Sequence, residues 1–572
     1  MPTTDNPMAR LQGLDLGFRS EYLDYRTLTR QLRGWAEAFP ELVRLESIGR
    51  TPEGRDQWLL TVGPEPDRVR PAVWVDGNMH AAELAGSSVA LAIAEAAIRM
   101  HLKPAPDTQV QREMLFHVLP RISPDGAEAV LRGRGFVRSV PRRKDHGHPR
   151  PRWQREDLDG DGHCRFIRIP DPGGEFVASA THPGLMLPRR PDDPPPWYRL
   201  YPEGRIENWD GETLPDPEFL DGSTDLNRNF PHDWRGEPEQ AGAGSHPTGE
   251  PESRAVVDYA IAHPNLYAWL NLHTFGGVFI RPLGTASDAR MNQADLALYR
   301  QLEAWAEADT GYPTVSAYEE FTYEPEKPVY GDLMDFVYNQ RGCLSQVCEL
   351  WDLFARLELP RRKPFVRSYF AVDREGMERL AEWDAASNRG RVYRDWTTVE
   401  HPQLGKVEVG GPDPLIGLWN PPPELLPDVC ERMCRYWLRV VALLPRLVLE
   451  ELVVDRLDTN LVEIRATVAN HGYLPTWGLD SSREQPWNTP LQAHMETRDC
   501  RLTDPERARR DVGHLDGWGR GLEHGSQTPW FMHSRGNSHR RSLRWLVHGE
   551  GKVTLRVGNE RVGWVERTVT AG

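Results

Sequence analysis

Over roughly the first 445 residues, short apolar runs rich in β-branched side chains alternate with stretches of helical spacing, and this alternation restricts the fold most. The runs at 58–62, 72–75, 114–119 and 266–272 read as buried strands, and those at 86–99 and 251–262 as helices between them. Tyr25, Leu28, Leu32, Trp35 and Phe39 recur at helical spacing before Pro40, which ends the helix that opens the fold. Strands alternating with helices bury a sheet between helical layers, an α/β arrangement. From about 139 to 222 the texture changes to Pro, Arg, Asp and Gly with little periodicity, which predicts an irregular insertion carrying only short elements. Helical spacing returns over 424–444, after the triple proline at 421–423, and is expected to close a first domain at 1–445. Beyond it, alternating runs at 461–468, 541–547 and 552–557 are punctuated by Asn470-His471-Gly472 and Gly549-Glu550-Gly551. That pattern predicts a second domain, an all-β sandwich over 446–572.

The charge balance narrows the function classes. With 84 acidic against 69 basic residues the net charge is −15, so phosphate-rich partners are repelled and neither nucleic acid nor an anionic membrane is expected as a partner. The N-terminus lacks a basic start followed by an apolar run, and no apolar stretch is long enough to span a bilayer. A cytoplasmic location is therefore expected, and the six scattered cysteines are expected to be free thiols.

Four strings carry chemistry. In AVWVDGNMHAAEL, His80 and Glu83 follow a strand and precede a helix, so imidazole and carboxylate can converge on one Zn²⁺. A third ligand is available in His273, which ends a second apolar run in AWLNLHTF. STDLNRNFP gathers Asp225, Asn227 and Arg228 beside Phe230. CLSQVCELWD ends a strand-like run on Glu349, whose apolar setting would raise its pKa toward that of a useful general base.

With these strings, and with the P-D-G turn at Pro124, Asp125 and Gly126, the chain resembles the zinc metallocarboxypeptidases of the carboxypeptidase A and B type over about residues 20–445. The resemblance implies a mixed central sheet flanked by helices, and a hydrolase that removes the C-terminal residue of a peptide. It implies that His80, Glu83 and His273 hold Zn²⁺, that Glu349 moves the proton, and that Asp225 orients His80. Asn227 and Arg228 would bind the substrate's free carboxylate. The family's oxyanion-stabilising arginine falls at Arg138, with Arg134, Arg142 and Arg143 as neighbours able to replace it after a small shift.

The chain departs from the family in three places. Ala82 stands where carboxypeptidases A and B carry a substrate-binding arginine. The family's mobile tyrosine falls at Lys327, leaving Tyr323 or Tyr330 to serve. Met334 takes the base of the side-chain pocket, which implies neutral or hydrophobic C-terminal residues, although Asp332 keeps basic ones in play. No inhibitory prosegment is expected before the first helix, and the insertion is the candidate lid or rim. Within it, Asp157, Asp159 and Asp161 with Gly162 form a candidate Ca²⁺ loop, although Arg168 occupies the twelfth position where an EF-hand loop has Glu. Alternative readings are a zinc amidohydrolase acting on N-acyl amino acids or cell-wall peptides, and a noncatalytic peptide-binding protein.

Overall fold

The computed structural model describes residues 6–133, 137–142, 150–217, 223–324, 327–519 and 536–571. Arg134 and Arg143 lie outside the described residues. The central sheet begins with β1 (Val43–Arg50), β2 (Asp56–Val62), β3 (Ala72–Gly77) and β4 (Leu115–Leu119). Between β3 and β4 runs the helix Ala85–Leu102, apolar on nearly all sides and buried almost throughout, as an interior helix must be. The helix Pro124–Leu131 follows β4.

The insertion contributes β5 (Arg152–Arg155), β6 (Phe166–Pro170), β7 (Phe176–Ala178), β8 (Met186–Pro188), β9 (Tyr198–Pro202) and β10 (Gly204–Glu207). The chain then returns to the central sheet through β11 (Leu266–Thr274), β12 (Val278–Arg281), β13 (Thr314–Ser316) and β14 (Leu344–Leu350). Strand order is β1-β2-β4-β3-β11-β14-β12-β13. Pairing is parallel at the centre, from β4 through β3 and β11 to β14, and antiparallel between β1 and β2, β2 and β4, and β12 and β14. The sheet is thus mixed. β11 is buried at every position, the pattern of a strand covered on both faces.

The elements of the insertion are short, as its sequence suggests, but they assemble. β6 pairs with β9 on one side and on the other with β16 (Gly405–Pro412), itself paired with β15 (Tyr393–His401). The resulting six-stranded sheet has its own apolar core, in which Trp153 stacks on Tyr201 at 5.2 Å and Ile167 packs with Val407 and Val409. Strands of three to five residues show too few alternations to be read as strands.

After the amphipathic helix Leu426–Val441 come, among the described residues, eight strands: β17 (Leu447–Asp458), β18 (Leu461–Asn470), β19 (Leu491–Arg498), β20 (Arg501–Leu502), β21 (Arg509–Gly513), β22 (Arg540–His548), β23 (Gly551–Asn559) and β24 (Gly563–Ala571). They form two four-stranded antiparallel sheets whose inward residues, such as Ile464, Trp545 and Leu555, alternate with exposed ones. Their core merges with that of the central sheet. Arg561 seals the contact: it is 2% exposed and donates to the carbonyls of Pro264 and Gly342.

Candidate metal centre and substrate cavity

The loop carrying His80 and Glu83 leaves the carboxyl end of β3 and turns at once into the helix Ala85–Leu102. Strand and helix approach so closely at Gly77 and Gly86 that a Cβ on Gly77 would meet the Gly86 carbonyl carbon at 2.5 Å. Asn78 adopts φ 55° and donates through Nδ2 to the carbonyls of His80 and Ala81. Asn420, from the far end of the domain, donates to the Ala82 carbonyl and accepts from the Ala85 N–H. Pro124-Asp125-Gly126, expected as a turn, opens the helix Pro124–Leu131, and its Gly126 packs on the same loop, where a Cβ would lie 2.8 Å from that of Ala81. The loop is therefore held from three sides.

His80, Glu83 and His273 offer ligand atoms that all lie within 4.8 Å of one another, and all three are buried. His80 Nδ1 lies 2.8 Å from Glu83 Oε1, His273 Nδ1 lies 2.9 Å from Glu83 Oε2, and the two Nδ1 atoms face each other at 3.0 Å. The outer nitrogens have acceptors: His80 Nε2 is 3.2 Å from Asp225 Oδ1, and His273 Nε2 is 2.6 Å from Asn271 Oδ1. With each Nε2–H used in this way, the Nδ1 lone pairs point at one another and at a carboxylate, an arrangement that only a cation makes favourable. Two imidazoles and one carboxylate are the donor set of a zinc site with an open position, so the residues fit Zn²⁺.

Burial would raise the Glu83 carboxyl, but the histidines on either side draw it well below the usual carboxylate range. Asp225 is also held low: Arg138, then His80 and Arg228, outweigh its burial. Arg138 Nε bonds Asp225 Oδ2 at 2.9 Å, and its Nη1 lies 3.7 Å from Glu83 Oε1. Arg142, the other described arginine of that run, turns away into a cluster with Asp125, Glu250 and Glu252.

A cavity of about 70 Å³ opens beside the metal ligands. His80, His273, Arg138, Asn227, Arg228 and Glu349 line it together with Met334, Ile280, Val347, Asp332 and Tyr323. Loss of solvation, and then the charge of Glu83, push the Glu349 carboxyl well above its usual range, with Arg138 opposing. Arg228 donates to the Asn227 carbonyl, and among the described residues it forms no ion pair with a carboxylate. Tyr323 is 51% exposed, with its phenol in the field of Glu349 and Arg138. Tyr330 is not a lining residue; its ring lies under the Arg235 guanidinium at 5.1 Å.

Three contributors escaped the sequence reading. Asn271 lies two residues before His273 on the same strand face, a spacing that offers a signal. Asp76 stands opposite Asn271 in the β3–β11 register and accepts from its Nδ2 and from the indoles of Trp74 and Trp269. Asn420 had no local signal. In the insertion, Asp157, Asp159 and Glu203 bring carboxylates within 4.8 Å, whereas Asp161 pairs with Arg165.

A family model described as zinc carboxypeptidase matches residues 28–160 and 209–361, half of the chain, breaking within the insertion. Residues 446–570 match a domain family of unknown function. Carboxypeptidase A4 of Mus musculus is 22% identical over 289 residues, 49% of this chain and 52% of that protein. Carboxypeptidase B of Astacus astacus is 32% identical over 108 residues, 19% of this chain and 34% of that protein. The chain spans about half the length, or less, of these curated relatives. Among solved structures, carboxypeptidase A from Helicoverpa armigera is 18% identical, covering 67% of this chain and 80% of that one at a TM-score of 0.37. Through the match over half its length, which includes His80, Glu83, Asn227, Arg228, His273 and Glu349, the chain belongs to the zinc carboxypeptidase family.

Proposed function

We propose that the protein is a zinc-dependent carboxypeptidase that removes a neutral or hydrophobic residue from the C-terminus of a peptide. The observation that carries this reading is Arg228: a guanidinium without a carboxylate partner among the described residues lines the same cavity as the metal ligands and Glu349. A guanidinium pairs well with a planar carboxylate, and the Asn227 amide stands beside it. A substrate held there by its terminal carboxylate brings the preceding peptide bond toward His80, Glu83 and His273.

A zinc ion on those ligands would supply Lewis acidity, activating water and polarising the scissile carbonyl. Glu349, whose carboxyl is raised by desolvation, is suited to take up a proton and return it to the leaving amine. Arg138, held in place by Asp225, directs positive charge to where negative charge develops on the carbonyl oxygen. Tyr323 at the cavity wall can fold over a bound peptide end. Met334, Ile280 and Val347 give the pocket an apolar wall that favours an apolar last side chain.

Zinc content and hydrolysis of an N-blocked dipeptide, compared with its C-terminal amide, test this reading. Equimolar zinc and at least about a hundredfold preference for the free acid are expected, because an amide leaves the half-buried Arg228 guanidinium without its carboxylate partner. Equal cleavage of acid and amide would remove carboxylate recognition from the mechanism.

A further inference from the structure

A second and larger cavity, about 240 Å³, shares no lining residue with the first yet touches the same metal-binding loop at Ala82, next to Glu83. Its walls come from three parts of the chain: Ala82 and Val130 of the central domain, Phe166 and Pro202 of the insertion, and Leu415 and Trp419 beyond β16. Trp419 also packs edge-on against Phe275, two residues past His273, with ring centroids 5.7 Å apart. The cavity thus borders the metal centre through the segments of two of its ligands. The walls are largely apolar, and the charge at the edge is partly self-compensated, with His163 Nδ1 lying 2.7 Å from Asp413 Oδ2. Apolar walls around so much space forgo dispersion contacts that a ligand would restore.

We propose that this cavity binds an apolar group on the amino side of the scissile bond, an aromatic or aliphatic side chain or an acyl cap. The proposal rests on the carboxypeptidase reading above. A peptide anchored by its carboxylate at Arg228 and crossing the metal has its remaining length beyond the loop of His80 and Glu83, where Ala82 opens onto this space. The insertion and the segment around 412–419 thereby select substrates by what precedes the cleaved bond, independently of the last residue.

The test compares acetyl-Gly-Gly-Leu, octanoyl-Gly-Gly-Leu and acetyl-Trp-Gly-Leu on the zinc-loaded full chain. At least one apolar substrate is expected to gain about tenfold or more in kcat/KM over acetyl-Gly-Gly-Leu, since burying an aliphatic or aromatic group is worth that factor. A gain for octanoyl alone assigns the site to acyl groups, and a gain for Trp alone to side chains. Leu415→Trp, which fills the cavity, should reduce the gain to within about twofold while leaving acetyl-Gly-Gly-Leu turnover unchanged. Ligand-observed NMR with octanoylglycinamide, which lacks the carboxylate, reads the cavity without hydrolysis and on the wild type alone if the variant misfolds. Equal turnover of all three peptides together with no binding of octanoylglycinamide overturns the proposal. Binding of octanoylglycinamide that Leu415→Trp abolishes, with no peptide cleaved, retains the apolar site and overturns the carboxypeptidase reading instead.

Discussion

His273 and Glu349 stand directly opposite each other on neighbouring parallel strands, because the register that pairs Ala268 with Leu344 runs unbroken to their ends. Opposed residues on paired strands share a face, so β11 and β14 deliver a candidate metal ligand and the proposed proton carrier to the same end of the sheet. Glu349→Gln keeps the shape and the register while removing the ionisable group. Zinc content is expected to remain near one per chain while kcat falls by about 10²–10⁴, measured by elemental analysis and steady-state kinetics. Wild-type turnover in this variant would exclude Glu349 from the chemistry.

Asn271 fixes the ring of His273 and is itself fixed by Asp76, so Asn271→Ala should loosen a ligand it does not replace. Zinc affinity is expected to drop about 10–100-fold in a chelator competition. Unchanged affinity would mean that strand packing alone orients the ring.

Asp332 lies in the wall of the cavity beside the candidate metal ligands, where burial raises its carboxyl above the usual carboxylate range. A carboxyl raised in this way ionises at a higher pH than a free one, so the pocket gains negative charge as pH rises. The ratio of kcat/KM for a C-terminal Lys substrate over a C-terminal Leu one should climb several-fold between about pH 5 and 7.5. Taking the ratio cancels ionisations common to both substrates. Asp332→Asn, which can still accept from the Asp335 N–H, should flatten the profile; a ratio equally steep in the variant would place the titrating group elsewhere.

Arg561 joins the C-terminal sheets to the central domain through two carbonyls and through the rings of Tyr267 and Trp487, 4.4 and 4.9 Å from its guanidinium carbon. Arg561→Ala leaves buried carbonyls unpaired, and a loss of about 3 kcal/mol is expected in denaturant unfolding. Arg561→Lys should recover only part of it, because one ammonium cannot match the planar fork. A loss below about 0.5 kcal/mol would show that the apolar contact alone holds the two parts together.

The candidate site residues could be named from the sequence because they are residue types at short spacing or at the ends of apolar runs. His80 and Glu83 are three apart, Asp225, Asn227 and Arg228 lie within four positions, and His273 and Glu349 each end an apolar run. That Arg138 and not Arg142 lines the cavity was not legible, since both fall in one basic stretch and only the carboxylates around them separate the two. Nor was it legible that Tyr323 lines the cavity while Tyr330 packs against Arg235.

The sequence by itself determined the α/β layering, the alternation of the C-terminal strands and the strings that carry the proposed ligands and proton carrier, because periodicity and short motifs are local properties of a chain. Tertiary structure alone decided how the short strands of 150–207 find β15 and β16, how Asn420 reaches the metal loop, and how Trp419 closes a cavity beside Ala82. Each of these joins residues about two hundred or more positions apart. Such contacts are selected by the packing of whole layers, and no spacing along the chain encodes them.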